Sequence, residues 1–400
     1  MVNSAQERDR IRRPRLELTS MLQTAAIVFV LTLGSFQPAL AQTFTVLHNF
    51  GGSPDGAFPY AGLIRDAAGE LYGTTSNGGT SGLGTVFKVD ISGSEAVLYS
   101  FTGRADGISP LAPLVRNSLG TLYGTTFAGG TSNNGTVFKL SKNGNETVLH
   151  SFAGGTTDGC NAYGGLIRDT SGNLYGTTAS CGASNKGTVF KVNSSGALTL
   201  LHSFAGGASD GANPDYASLL MDKSGNLYGT TEYGGSANQG VLFKLSRNGN
   251  LTLLHSFAGG ATDGCFALGT LIMDTNASLY GTAQGCGASG YGVVYKVSKL
   301  GKETVLHNFA GGVSDGAQPI AGVIMGAKGT LYGVTEAGGT SNNGAVFRLS
   351  GSTLTLLHSF SYTDGATPFG RLVRDLKGDL YGTTLSGGSN NGGTVWKIAP

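Results

Sequence analysis

Leu174-Tyr175-Gly176-Thr177-Thr178 is one of seven copies of a word that also starts at Leu71, Leu122, Leu227, Leu279, Leu331 and Leu380, with Thr or Val fourth and Thr or Ala fifth. Successive starts are 51, 52, 53, 52, 52 and 49 residues apart. A fixed period of this size marks a repeat architecture with one supersecondary unit per period. In the third copy, Gly165-Leu166-Ile167-Arg168-Asp169 comes before the word; Gly187-Thr188-Val189-Phe190-Lys191-Val192 and Leu198-Thr199-Leu200-Leu201-His202-Ser203-Phe204 follow it. These segments have strand length, are rich in β-branched and aromatic residues, and are separated by Gly, Ser, Asn and Asp clusters. No stretch beyond residue 41 has a helical period, so the fold class is all-β. Four strands per period is the content of one propeller blade.

The phase of the repeat predicts closure. Phe44-Thr45-Val46-Leu47-His48-Asn49-Phe50 copies the fourth strand without the preceding three, and Gly393-Thr394-Val395-Trp396-Lys397-Ile398 is a third strand with no fourth after it. Pairing the two completes seven four-stranded antiparallel blades over residues 42–400 and leaves no open sheet edge. An open solenoid would instead call for polar capping repeats, which the sequence lacks.

Residues 1–41 stand outside the repeat. Arg8, Arg10, Arg12, Arg13 and Arg15 precede an apolar run from Leu22 to Phe36, and Pro38-Ala39-Leu40-Ala41 offers small residues for cleavage between Ala41 and Gln42. This is the layout of an export signal, and its apolar run of about 15 residues is shorter than the roughly 20 that a spanning helix needs. Met21 is an alternative start. The expectation is an extracytoplasmic protein, periplasmic or secreted, with no stable membrane insertion once the signal is removed. The chain holds 26 basic and 24 acidic side chains; residues 1–41 contain five arginines and three acids, which leaves 21 of each and no net charge. Such a chain lacks the basic stripe that would serve nucleic acid or anionic lipid. Its 68 glycines follow no Gly-X-Y period and recur at fixed repeat positions, as turn residues do.

The words Gly-x-Leu-Tyr-Gly-Thr-Thr, as at 172–178, and Gly-Thr-Val-Phe-Lys-Leu, as at 135–140, resemble the Gly-rich tandem repeats of exported bacterial proteins known as the GloVer family. The resemblance covers nearly all of residues 43–400 and brings no activity with it. More loosely, the stretch from Asp169 to Tyr175 is similar to the Asp-x-x-Gly-x-Leu-Trp word of sensor-type propeller repeats in two-component regulators. That likeness implies a fold only, since propellers host unrelated functions.

The four cysteines occupy matching positions in two repeats, Cys160 with Cys181 and Cys265 with Cys286, each pair 21 residues apart. In an antiparallel meander the loop before the first strand and the loop between strands two and three emerge at the same end of a blade. Joint presence in two repeats and joint absence from five therefore predict these two disulfides over the other pairings. A zinc site is disfavoured, because neither pair has knuckle spacing and the histidines belong to another strand.

His48, His150, His202, His255, His307 and His358 share one position in the fourth strand, with Tyr99 in the seventh copy, and read as scaffold rather than metal ligands. Asp55, Asp106, Asp158, Asp210, Asp263, Asp315 and Asp364 each precede a glycine and read as turn residues bonding their own backbone two positions on. The once-per-blade tyrosines, Tyr72 through Tyr381, and the third-strand aromatics, Phe87 through Trp396, read as inter-blade packing. Lys88, Lys139 and Lys191 are expected to lay their stems over the blade with a wet ammonium. No metal or cofactor is called for.

Function is expected where a copy departs from its siblings: Phe127, Asp215, Tyr216, Glu232, Tyr233, Tyr291, Glu336 and Tyr362. Acidic and aromatic side chains around a central depression suit a sugar, by stacking and by bonding its hydroxyls. The leading expectation is a non-enzymatic, monomeric binding module for a protein or glycan. A secreted lyase or hydrolase using Asp215, Glu232 or Glu336 as acid or base is the alternative, and a structural or adhesive surface protein is the third. No triad, nucleophile elbow, phosphate loop or metal signature is present.

Overall fold

Each Leu-Tyr-Gly word forms the second strand of a four-stranded antiparallel sheet, and seven such sheets make a seven-bladed propeller. The computed structural model describes residues 42–399 apart from Arg104, so the export-signal reading of residues 1–41 falls outside the described residues. In blade 3 the inner, second, third and outer strands are Ile167–Arg168, Leu174–Thr178, Thr188–Val192 and Leu198–Ser203. Blade 7 is completed by Thr43–Asn49, which pairs with Thr394–Ala399 and sets Phe44 opposite Ile398 and Val46 opposite Trp396. The first described strand is thus the outer strand of the last blade, and it closes the ring.

The word's glycine has a packing reason. Gly176 lies opposite Phe190, and a Cβ there would sit 2.7 Å from the ring's Cζ atom. The third-strand aromatic lies across the second strand, which only a residue without a side chain allows. Beside it, Thr178 and Thr188 bond to each other at 2.8 Å with both side chains buried.

Each outer strand carries a bulge. Val189 pairs with His202 but Phe190 pairs with Leu200, leaving Leu201 as the extra residue. Paired residues share a sheet face, so the bulge puts His202 and Leu200 on opposite faces, whereas a regular strand would put them on one. The residue two beyond the histidine then reaches the next blade. Phe152 meets Phe190 edge-on at 5.3 Å and Phe204 meets Phe243 at 5.3 Å; the series runs through all seven junctions to Phe360 and Trp396 at 5.6 Å. The core is accordingly a ring of inter-blade clusters, such as Phe152 and Val137 packed with Leu174, Phe190 and Val192.

Two third-strand aromatics carry a polar atom into this seam. Tyr295 Oη and Trp396 Nε1 are buried without a hydrogen-bond partner. The second-strand tyrosines do more than pack: Tyr175 donates to Asp169 at 3.1 Å, while Arg116 of blade 2 lies 5.6 Å over the Tyr72 ring of blade 1. Lys88 keeps about a third of its side chain exposed and also pairs with Glu70. Gly159–Cys160 pairs with Ser180–Cys181 in a two-stranded ribbon, and both cysteine pairs are bonded, with Cα atoms 5.5 Å and 5.4 Å apart. Among the described residues no helix is long and apolar enough to cross a membrane.

Candidate functional site at the channel mouth

The repeated histidines and loop aspartates, read separately in the sequence, form one device at the rim. Each histidine Nε2 bonds the aspartate six to eight residues on, from His358 to Asp364 at 2.9 Å to His255 and Asp263 at 3.2 Å; in the odd copy Tyr99 donates to Asp106 at 2.7 Å. Asp210 also accepts from the backbone of Ala205 at 2.8 Å and of Gly211 at 2.7 Å, so it bonds the next residue and one five back, not one two ahead. Burial pushes Asp210 up, but the bonds from His202 and these amides outweigh it and hold the carboxyl below its ordinary value.

The first core position of each outer strand covers the preceding pair. Phe44 stacks on His358 with ring centres 3.7 Å apart, and Glu95, Glu146 and Glu303 take the same place in blades 1, 2 and 5. Burial, and then the neighbouring aspartate, push these three glutamates up to about 7. His48, Asp55 and Glu95 bring ligand atoms within 4.8 Å of one another. Asp55 is already bonded to His48, Gly51 and Gly56, whereas Glu95 Oε1 is buried without a hydrogen-bond partner among the described residues.

The blades differ at the centre. Ahead of every inner strand one residue, Phe58, Ser109, Asn161, Asn213, Phe266, Gln318 or Thr367, takes a φ between 52° and 59°. Non-glycine residues persist in this region only where their surroundings impose it. Here its carbonyl accepts the N–H of the residue just after the Leu-Tyr-Gly word, as Asn213 does from Glu232 at 2.9 Å and Ser109 from Phe127 at 3.0 Å. This clamp aims the next residues over the channel, where Tyr60, Leu111, Tyr163, Tyr216, Leu268, Ile320 and Phe369, one per blade, surround a space of about 50 Å³. Phe127 meets Tyr163 at 4.6 Å, Tyr163 meets Tyr216 at 4.8 Å, and Tyr60 meets Phe369 at 5.0 Å. Tyr216 of blade 4 also meets Phe369 of blade 7 at 5.4 Å, so rings from non-adjacent blades close the mouth.

Blade 4 owes this reach to one extra residue. Seventeen residues separate Asp210 from Leu227, against sixteen for the equivalent pair in every other blade, and the addition is Asp215. Two tight turns accommodate it: Asp215 N–H donates to Asn213 O at 2.9 Å, Ala217 N–H donates to Asp215 O at 2.6 Å, and Tyr216 takes a φ of 57°. The Asp215 carboxyl is buried and hydrogen-bonded to Glu232; burial first, then that neighbouring charge, push it up to about 7. Asp215 is therefore the carboxyl of the two that holds its proton well above the ordinary carboxylate range.

Unsatisfied polar atoms gather on this side of the channel. Thr74, Thr282 and Thr383 donate to the next blade's carbonyls at 3.1, 2.9 and 3.0 Å, but the equivalent Thr125, Thr177 and Thr230 of blades 2 to 4 have buried hydroxyls without a partner. Asp215 Oδ1 is likewise unpartnered. Buried orphans of this kind are where a bound molecule or water completes the bonding.

Of the residues singled out in the sequence, Phe127, Asp215, Tyr216 and Glu232 meet here, and Tyr233 joins through a hydrogen bond to Glu232. Glu336 holds the Glu232 position of blade 6, accepts from Gln284 Nε2 at 3.3 Å, and is raised by burial against that bond. Tyr291 lies against Gly311 and Tyr362 donates to Asn391 at 2.6 Å, both on outer loops. Sequence reasoning passed over Tyr60, Tyr163, Phe369 and Arg371. Their columns are apolar or small in most copies and read as core; the 53-residue spacing that Asp215 creates was the available signal.

Compared with known proteins, the chain matches the family model described as the Gloeobacter/Verrucomicrobia repeat over residues 23–222, 96–284 and 216–400. No curated protein matches it. Among solved structures, the extracellular domain of a protein named as a hybrid two-component system from B. thetaiotaomicron is 11% identical with a TM-score of 0.57, over 88% of this chain and 39% of that one. A protein named as a 6-phosphogluconolactonase from Bacteroides uniformis is 17% identical with a TM-score of 0.50, over 80% and 88%. A gluconolactonase from Xanthomonas campestris is 15% identical with a TM-score of 0.45, over 88% and 98%. At these identities the first two likenesses show the fold alone.

Proposed function

From the premise that the chain belongs to the Gloeobacter/Verrucomicrobia repeat family, we propose that it is an exported, non-enzymatic binding module whose channel mouth takes a glycan. The observation that carries this reading is the aromatic arc of Phe127, Tyr163, Tyr216 and Phe369 beside the Asp215–Glu232 pair, built where blade 4 leaves the repeat. Aromatic faces pack on the apolar face of a pyranose, while carboxyl groups take its hydroxyls. The paired cysteines support an oxidising, extracytoplasmic compartment.

A protein partner is the second reading, favoured by Tyr233, Tyr291 and Tyr362, which are 37%, 46% and 45% exposed. The hydrolase reading draws on the shifted Asp215 carboxyl. Against it, two carboxyls that bond each other are closer than the roughly 5 Å or more that glycosidases keep between theirs.

A glycan array probed with the propeller, residues 42–400, tests the proposal. Expected is a saturable hit that weakens about tenfold or more in both Tyr216→Ala and Glu232→Ala, the loss of one stacking face or one charged hydrogen bond. A blank array, or a hit indifferent to both changes, overturns it.

A further inference from the structure

Beneath the aromatic closure the central channel widens to a cavity of about 830 Å³, walled by the inner strands with side chains such as Ile167, Leu220, Ile272 and Val373. At the top of this cavity six blades place a small residue, Gly62, Pro113, Gly165, Ser218, Thr270 or Gly322, and blade 7 places Arg371. One long cationic side chain thus stands where the other six blades carry a small residue.

The guanidinium is without a partner. Arg371 has no hydrogen bond or ion pair among the described residues, and its side chain is exposed to the open channel that it lines. Partial desolvation by the channel wall pulls it below its ordinary value, and no carboxylate is near enough to offset that; it nonetheless stays charged. Arg65, the other cation on the wall, is engaged with Asp375 at 3.9 Å. An unpaired guanidinium exposed in a channel with apolar walls is open to an anion, which can take both arms of its fork.

We propose that the channel binds a small amphiphilic carboxylate, with its head group on Arg371 and its aliphatic body against the inner strands. The planar guanidinium matches a carboxylate through two parallel hydrogen bonds. From Arg371 to Arg374 the wall rises about 3.3 Å per residue, on the order of 10 Å in all, which suits a medium-length chain. The cavity lies within the range of roughly 300 to 1,000 Å³ usual for small-molecule sites. A glycan at the mouth is a separate matter, since neither Asp215 nor Glu232 lines this cavity.

Isothermal titration of the purified protein with decanoate tests the assignment, with decanol as the ligand that keeps the body and lacks the charge. Expected is one saturable site for decanoate, weakened about tenfold or more in Arg371→Met, which keeps length and removes the fork, and partly retained in Arg371→Lys. Decanol should bind at least about tenfold more weakly than decanoate to the unaltered protein, an arm that needs no variant. Glu232→Ala should leave decanoate binding unchanged, which keeps this site distinct from the mouth. No saturable binding, equal binding of decanol, or full binding by folded Arg371→Met overturns the proposal.

Discussion

At the seam between blades, Phe50, Phe101, Phe152, Phe204, Phe257, Phe309 and Phe360 each meet the third-strand aromatic of the next blade at 4.9 to 5.6 Å. At the channel mouth the equally repeated column from Tyr60 to Phe369 mixes tyrosine, phenylalanine, leucine and isoleucine, and two of its rings touch across the channel. The seam offers seven equivalent local problems, each solved by a phenylalanine against an aromatic ring, which is Phe in five junctions, Tyr295 in one and Trp396 in one. The mouth offers a single space shared by seven loops, where side chains compete and the copies must differ. Repetition therefore marks what holds the ring together, and departure from it marks what the ring presents.

The sharpest test of this contrast sets a seam aromatic against a mouth aromatic. Phe190→Ala should cost about 3 to 5 kcal/mol, the price of emptying a fully buried aromatic site. Phe369→Ala, whose ring borders open space, should cost about 1 kcal/mol or less while altering ligand binding. Urea denaturation of both measures the gap, and comparable losses would break the distinction.

A second test asks whether the seam wants an apolar ring in every blade. Tyr295 fills a slot that is phenylalanine in five of the other blades, and its hydroxyl is buried without a partner. Tyr295→Phe should stabilise by about 1 kcal/mol, because it removes an unsatisfied polar group without emptying the ring site. A loss of stability would mean that the hydroxyl has a function at this junction.

The smallest expected effect concerns the rim. Glu146 titrates near 4.5 when unfolded and near 7 in the folded chain, raised by burial and then by Asp106. The folded state holds that proton more tightly, so stability is highest below the unfolded value and falls as pH rises from about 4.5 to about 7. Glu146→Gln should flatten that part of the profile. The loop aspartates act in the opposite sense: held below 3.8, they cost stability only as pH falls through their lowered values. Urea midpoints at about pH 5 and about pH 8 compare the two proteins, and equal slopes would remove Glu146 from the account.

Most of the scaffold was legible because its signals are local and repeated seven times. Alternation and turn residues mark the strands, the phase of Phe44–Phe50 marks the closure, and the shared 21-residue separation marks the cysteine pairs. The rim pairs were half legible. Histidine and aspartate were each read as scaffold, yet nothing local says that a bulge turns the imidazole toward the following loop. At the mouth, Phe127, Asp215, Tyr216 and Glu232 stood out as departures, while Tyr60, Tyr163 and Phe369 did not, because an apolar residue at an apolar position carries no signal of where it faces.

The sequence alone therefore determined the class, the number of blades, the strand order, the disulfides and the short list of unusual side chains, all of which follow from period and from contacts within one repeat or between neighbours. Only the tertiary structure decided that Tyr216 meets Phe369 across the channel, that Asp215 is buried beside Glu232 and raised by it, and that Arg371 stands unpaired on the wall of an apolar cavity. These follow from closing seven blades around one axis. Closure brings loops from distant repeats to the same point, and no pattern within a single repeat records which side chain will occupy it.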